Sequence, residues 1–105
     1  MSYILNQAGE PGMNKRDPKK NFSVQIDPET PVYIISVVSE IVSIPIWTLR
    51  KLDELDVVKP KRLGKKTRCY SQSQVELLNY VHYLMEEKRV NISGIRVILQ
   101  IENKV

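Results

Sequence analysis

Proline at position 45 does most to limit what the middle of this chain can become. It stands in Ser43-Ile44-Pro45-Ile46-Trp47-Thr48-Leu49-Arg50-Lys51-Leu52-Asp53-Glu54-Leu55, and with no amide hydrogen to give it is tolerated only in the first turn of a helix. Ile46, Leu49, Leu52 and Asp53 recur at three- and four-residue steps, so the stretch reads as a short helix over 44–55 that Ser43 can cap. One face carries Ile46, Leu49 and Leu52. The other carries Trp47, Thr48, Arg50 and Lys51, side chains able to stack, donate to base edges and grip phosphates. An ordinary amphipathic helix with a solvated basic face shows the same pattern, so the flanking segments have to decide.

Upstream, Val32-Tyr33-Ile34-Ile35 opens the folded part. Residues 32–46 are loaded with valine and isoleucine, which by intrinsic preference favour a strand. The apolar steps 37, 38, 41 and 42 fit a helix better than strict alternation. The expectation is a strand over 33–35, Ser36 as a helix cap and a helix over 37–42. The two-residue step to the next helix is the length of a helix-turn-helix.

Downstream, Val57-Val58, a turn bearing Gly64, and Thr67-Arg68-Cys69-Tyr70 have the pattern of a small hairpin. Between positions 59 and 68 stand Lys59, Lys61, Arg62, Lys65, Lys66 and Arg68 with no acidic residue. Such cations repel one another unless a polyanion lies nearby, whereas a lysine-rich solvated face normally interleaves with glutamate. Phosphate contact is the reading that follows. Ser71-Gln72-Ser73-Gln74 is a capping box, opening a helix to about Lys88 with Val75, Leu78, Val81, His82 and Met85 on one side and Leu77 and Leu84 widening the stripe. Asn91 caps a last helix whose Ile92, Ile95, Ile98, Leu99 and Ile101 make an apolar face broader than one small core covers. That surplus points to a partner, with Ile95, Ile98, Leu99 and Ile101 as a dimer interface.

A chain of 105 residues with 42% apolar side chains supports one small core. Residues 1–31, with Gly9, Pro11, Gly12, Pro18, Pro28 and Pro31 around Lys15, Arg16, Lys19 and Lys20, read as a flexible basic tail. Residues 32–105 form the domain. A net charge of +4 suits nucleic acid and many other surfaces as well. The single cysteine, Cys69, excludes an internal disulfide framework and a cysteine-rich zinc site, and no apolar run is long enough to span a bilayer. The expected location is cytoplasmic, with no membrane partner.

Catalysis lacks its materials. His82 is the one histidine and sits in a helical stripe, Asp53-Glu54 and Glu86-Glu87 point about 100° apart on a helix and read as surface charge or salt-bridge partners, and Gly64 and Gly94 stand alone. Cys69, beside Arg68 and Tyr70, reads as a packing residue. No enzyme, cofactor or metal is expected.

The order of pieces resembles the MerR family of bacterial transcription regulators. The carriers are Tyr33-Ile34-Ile35-Ser36-Val37, Thr48-Leu49-Arg50 with Asp53 and Leu55, Pro60, Arg68-Cys69-Tyr70-Ser71, and Gly94-Ile95 with Ile98-Leu99, together spanning about 32–102. Val90-Asn91-Ile92-Ser93-Gly94-Ile95-Arg96-Val97-Ile98-Leu99 is most similar to the heat-shock repressor branch, HspR. The resemblance implies a mainly α winged helix-turn-helix, with a small β-hairpin wing and two further helices. It would aim Trp47 and Thr48 at base edges, place Arg50 and Lys51 on phosphates, run Lys61, Arg62, Lys65, Lys66 and Arg68 along the backbone of double-stranded DNA, and anchor the wing on Tyr70. Where the family has two aromatics after its arginine and a glycine before the wing, this chain has Lys51-Leu52 and Asp56. The same likeness implies a homodimeric repressor of chaperone genes in the bacterial nucleoid, with a DnaK-type chaperone as co-repressor. Two other readings stay open, a nonspecific nucleic-acid or chromosome-associated binder and a protein-interaction module.

Overall fold

Residues 25–104 are described by the computed structural model. Among them the chain forms β1 (Pro31–Ile34), α1 (Ile35–Val42), α2 (Ile46–Glu54), β2 (Lys61–Leu63), β3 (Thr67–Ser71), α3 (Gln72–Glu86) and α4 (Ile92–Ile101). This is a winged helix-turn-helix. The strands make one antiparallel sheet in the order β1-β3-β2, so the central strand β3 pairs Tyr70 with Tyr33 and Cys69 with Ile34 on one side, and Arg68 with Arg62 on the other.

Both expected caps of the helix-turn-helix are displaced. Ser36 lies inside α1, whose N-cap is Ile34 with no capping side chain. Pairing of Ile34 with Cys69 holds that residue extended and sets the helix start, so tertiary pairing overrides the local signal. Ser43 ends α1 instead of opening α2, with φ at 58°. The Ser39 hydroxyl donates to the Ile44 carbonyl at 2.6 Å and ties down that tight turn. Pro45 takes the N-cap position of α2, and its carbonyl accepts the amides of Thr48 and Leu49.

Val57 and Val58 are not the first wing strand. They are buried in the turn after α2, with both amides donating to the Leu52 carbonyl, and they plug the end of the core. Asp56 stands where the family resemblance expects glycine. It adopts a φ of 58°, a left-handed conformation that aspartate tolerates better than most side chains. The capping box at Ser71 and Gln74 forms as expected, and the Asn91 side chain accepts the Gly94 amide.

The core gathers Val38 and Val42 of α1, Ile44 of the turn that follows, Leu49 and Leu52 of α2, Tyr70 of β3, Leu78 and Val81 of α3, and Ile95 and Leu99 of α4. The last two carry a correction. Both are 0% exposed in this one chain, because α4 packs that face on α3. They serve the core and are not a dimer surface. Of the four expected interface residues only Ile101, 74% exposed, lies open, and Ile98 is partly buried; the outer face of α4 pairs Ile101 with Val97.

The basic stretch of the expected tail, with Lys15 to Lys20, lies outside the described residues. Its last part belongs to the fold, since Pro28 accepts the Ser73 amide, Glu29 accepts the Ser73 hydroxyl, and Pro31 already sits in β1.

Candidate nucleic-acid interface

Helical geometry sorts the side chains of α2. At 3.6 residues per turn, Arg50, Glu54, Trp47 and Lys51 fall within an arc of roughly 100°, whose near edge lies about 60° from Asp53. Those four are exposed, Trp47 to 72%. Thr48, expected on the same face, is 3% exposed and points into the core with Leu49 and Leu52. Its place on the outward face is therefore corrected, and the acidic Glu54 takes part in that face instead.

Asp53 explains how the cations of the hairpin coexist. Arg62 and Arg68 stand directly opposite each other on β2 and β3, a like-charge pair that by itself destabilises a sheet. One oxygen of the Asp53 carboxylate, Oδ2, accepts from Arg68 Nε at 2.7 Å and from the Arg62 guanidinium at 3.2 Å, while Oδ1 accepts from Lys59 Nζ at 3.1 Å. Burial of the carboxyl works against its ionisation, but the hydrogen bonds from Arg68 and Lys59 outweigh this and hold its pKa below the ordinary aspartate value. Asp56 takes a second contact from Lys59 at 3.3 Å.

The acid-free run in the sequence thus has its counter-charge in the preceding helix. Asp53 had read as surface charge or a salt-bridge partner, and the second is what it is. The signal was present, because an acidic residue shared the apolar period of α2 just before the cation cluster.

This pairing divides the wing. Arg68 is drawn inward against Asp53, its side chain 16% exposed, and supports the wing from below; Arg62 keeps an outer edge in solvent at 42%. Lys61, Lys65 and Lys66 are exposed and take no ion pair among the described residues. Arg62 also donates to the Lys66 carbonyl across the tip at 3.4 Å, and Gly64 takes the left-handed φ of 66° that the tight turn requires. Cys69 is buried in β3.

Tyr70 is fully buried at the foot of the wing, so it acts as an anchor and is closed to direct contact with a duplex. Its hydroxyl has no hydrogen-bond partner among the described residues. Burial first, and then the nearby Asp53 charge, push its pKa up to about 12. Because the folded state disfavours tyrosinate, stability is full below the ordinary value of 10.0 and falls as pH rises from there towards about 12. Tyr70→Phe is expected to match or exceed the parent by about 1 kcal/mol at neutral pH. Urea melts of both proteins at pH 7 and 11 check this, with the variant lacking the tyrosine's share of the alkaline loss.

Among the described residues no group of histidine, cysteine or acidic side chains is placed to hold a metal, and no helix is long and apolar enough to cross a membrane. Residues 33–101 match the family described as MerR HTH family regulatory protein. A protein of Streptomyces coelicolor bearing the name heat shock protein HspR is 35% identical over 89 residues, which is 85% of this chain. The chain spans 59% of the length of that relative.

Proposed function

We propose that this chain, which belongs to the MerR HTH family of regulatory proteins, is a DNA-binding transcription regulator that represses heat-shock and chaperone genes by binding an inverted-repeat operator as a dimer. The observation that supports the DNA-contacting surface is the continuity of α2 and wing. The outward arc of α2 borders Asp53, and Asp53 holds the hairpin that carries Lys61, Lys65 and Lys66. A duplex laid against α2 then meets both.

In this reading Trp47 faces base edges at the start of α2, where its indole offers an apolar surface and one N–H donor. Arg50 and Lys51 meet bases or phosphates beside it. Lys61, Lys65, Lys66 and the outer edge of Arg62 follow the neighbouring backbone and supply most of the affinity. Arg68, Tyr70 and the inward Thr48 hold these groups in place. The heat-shock assignment rests on the name of the Streptomyces relative, and a DnaK-type co-repressor follows from the same likeness. A two-fold dimer would set the spacing of the half-sites.

Selection of duplexes from a random pool, followed by gel shifts, tests the reading. The expected result is an inverted repeat bound on the order of 10³-fold more tightly than a scrambled duplex. A pool that yields no motif would leave a nonspecific binder. Trp47→Ala is expected to change which bases are selected while binding to scrambled duplex stays near the parent value. An unaltered motif would remove Trp47 from the readers.

A further inference from the structure

We propose that Asp53 is a positioning residue for DNA binding, touching no nucleic acid but fixing the wing at one angle to the outward face of α2. The inference rests on the DNA-binding reading above and adds to it a reason for the alignment of the two contacting elements. At backbone level α2 packs chiefly on α1, whereas the wing packs within its sheet and, through β3, on α1 and α3. Beyond the shared core, the polar contacts that join α2 to the wing among the described residues run through this side chain, which reaches β2 through Arg62, β3 through Arg68 and the connecting segment through Lys59. Gln74 at the start of α3 extends the joint by donating to the Lys59 carbonyl at 2.7 Å. Without the carboxylate, the opposed Arg62 and Arg68 lose their shared acceptor and repel, and the hairpin bearing the wing lysines turns away.

The sign of the effect makes the proposal testable. Asp53→Asn removes no cation and raises the net charge of +4 by one, so simple attraction to phosphate would tighten binding to every duplex and keep or steepen its salt dependence. Positioning demands the reverse. On the duplex selected by the parent protein, the variant is expected to bind on the order of tenfold more weakly, with a shallower slope of log K against log salt. Arg62→Gln gives a second measure, because it cuts the carboxylate's link to β2, the strand that carries Lys61 and leads to the tip, while Arg68 and Lys59 stay on Asp53. Its own phosphate contact accounts for a slope change of at most about 0.9, so a larger drop reports the wing lysines leaving register.

Circular dichroism at the assay temperature confirms that each variant is folded. Should Asp53→Asn not fold, the Arg62→Gln slope decides alone. Tighter or unchanged binding by folded Asp53→Asn, or a drop of 0.9 or less for Arg62→Gln, overturns the proposal while leaving DNA binding intact. Parent protein that shows no salt-dependent binding to any duplex refutes the DNA-binding reading itself, and the positioning role with it.

Discussion

Alanine at Lys61, Lys65 and Lys66 together is expected to weaken binding to selected and scrambled duplexes alike, on the order of ten- to a hundredfold near physiological salt. These three lysines lie on the exposed edge and tip of the wing and take no ion pair among the described residues. Their charges are available to displace counterions from a duplex, whereas Arg68 is already engaged with Asp53. Each lost contact should lower the salt slope by up to about 0.9. The preferred sequence should not change, because a lysine on a phosphate carries no base information. Fluorescence anisotropy over a salt series gives both quantities, and an unaltered slope would place the wing away from the duplex.

The second large effect concerns the fold. Ile95→Ala removes a side chain that is 0% exposed in the contact between α4 and α3, and such a deletion costs about 2–5 kcal/mol. For a domain of this size that is a large share of a total near 5–15 kcal/mol. The variant is expected to melt early in urea or to be substantially unfolded at 37 °C. Ile101→Ala, at a position 74% exposed, should shift stability by no more than about 0.5 kcal/mol. If the outer face of α4 meets a second copy, Ile101→Ala weakens self-association in sedimentation while leaving the melt alone. Loss of association with full stability in Ile95→Ala would instead return that residue to an interface.

The helix-turn-helix, the wing and both later helices could be read from the chain because their signals are local. Pro45, the Ser71–Gln74 capping box, Asn91 and Gly64 each act within a few residues, and the helices start and the hairpin turns beside them. Signals that depended on distant pairing were misplaced. Ser36 looked like a cap until β1 met β3, and Val57-Val58 looked like a strand although burial alone accounts for their branching.

Periodicity also assigned α2 correctly at Leu49 and Leu52 but put Thr48 outside, since a small polar residue carries no mark of which way it faces. Most of the candidate site was named in the sequence. What was missing was its internal bookkeeping of charge, because the acid that balances the wing lies in another element. The breadth of the α4 stripe likewise overstated what was left over, as Ile95 and Leu99 are absorbed by α3.

The middle strand of the sheet serves two neighbours at one place, with Cys69 matched to Ile34 on one edge and to Lys61 on the other. The hairpin is therefore a cantilever built into the wall of the domain. The outer strand of the wing and the strand that leads into the first helix thus take their register from the same residue, so neither can slip along the sheet without breaking its match at Cys69.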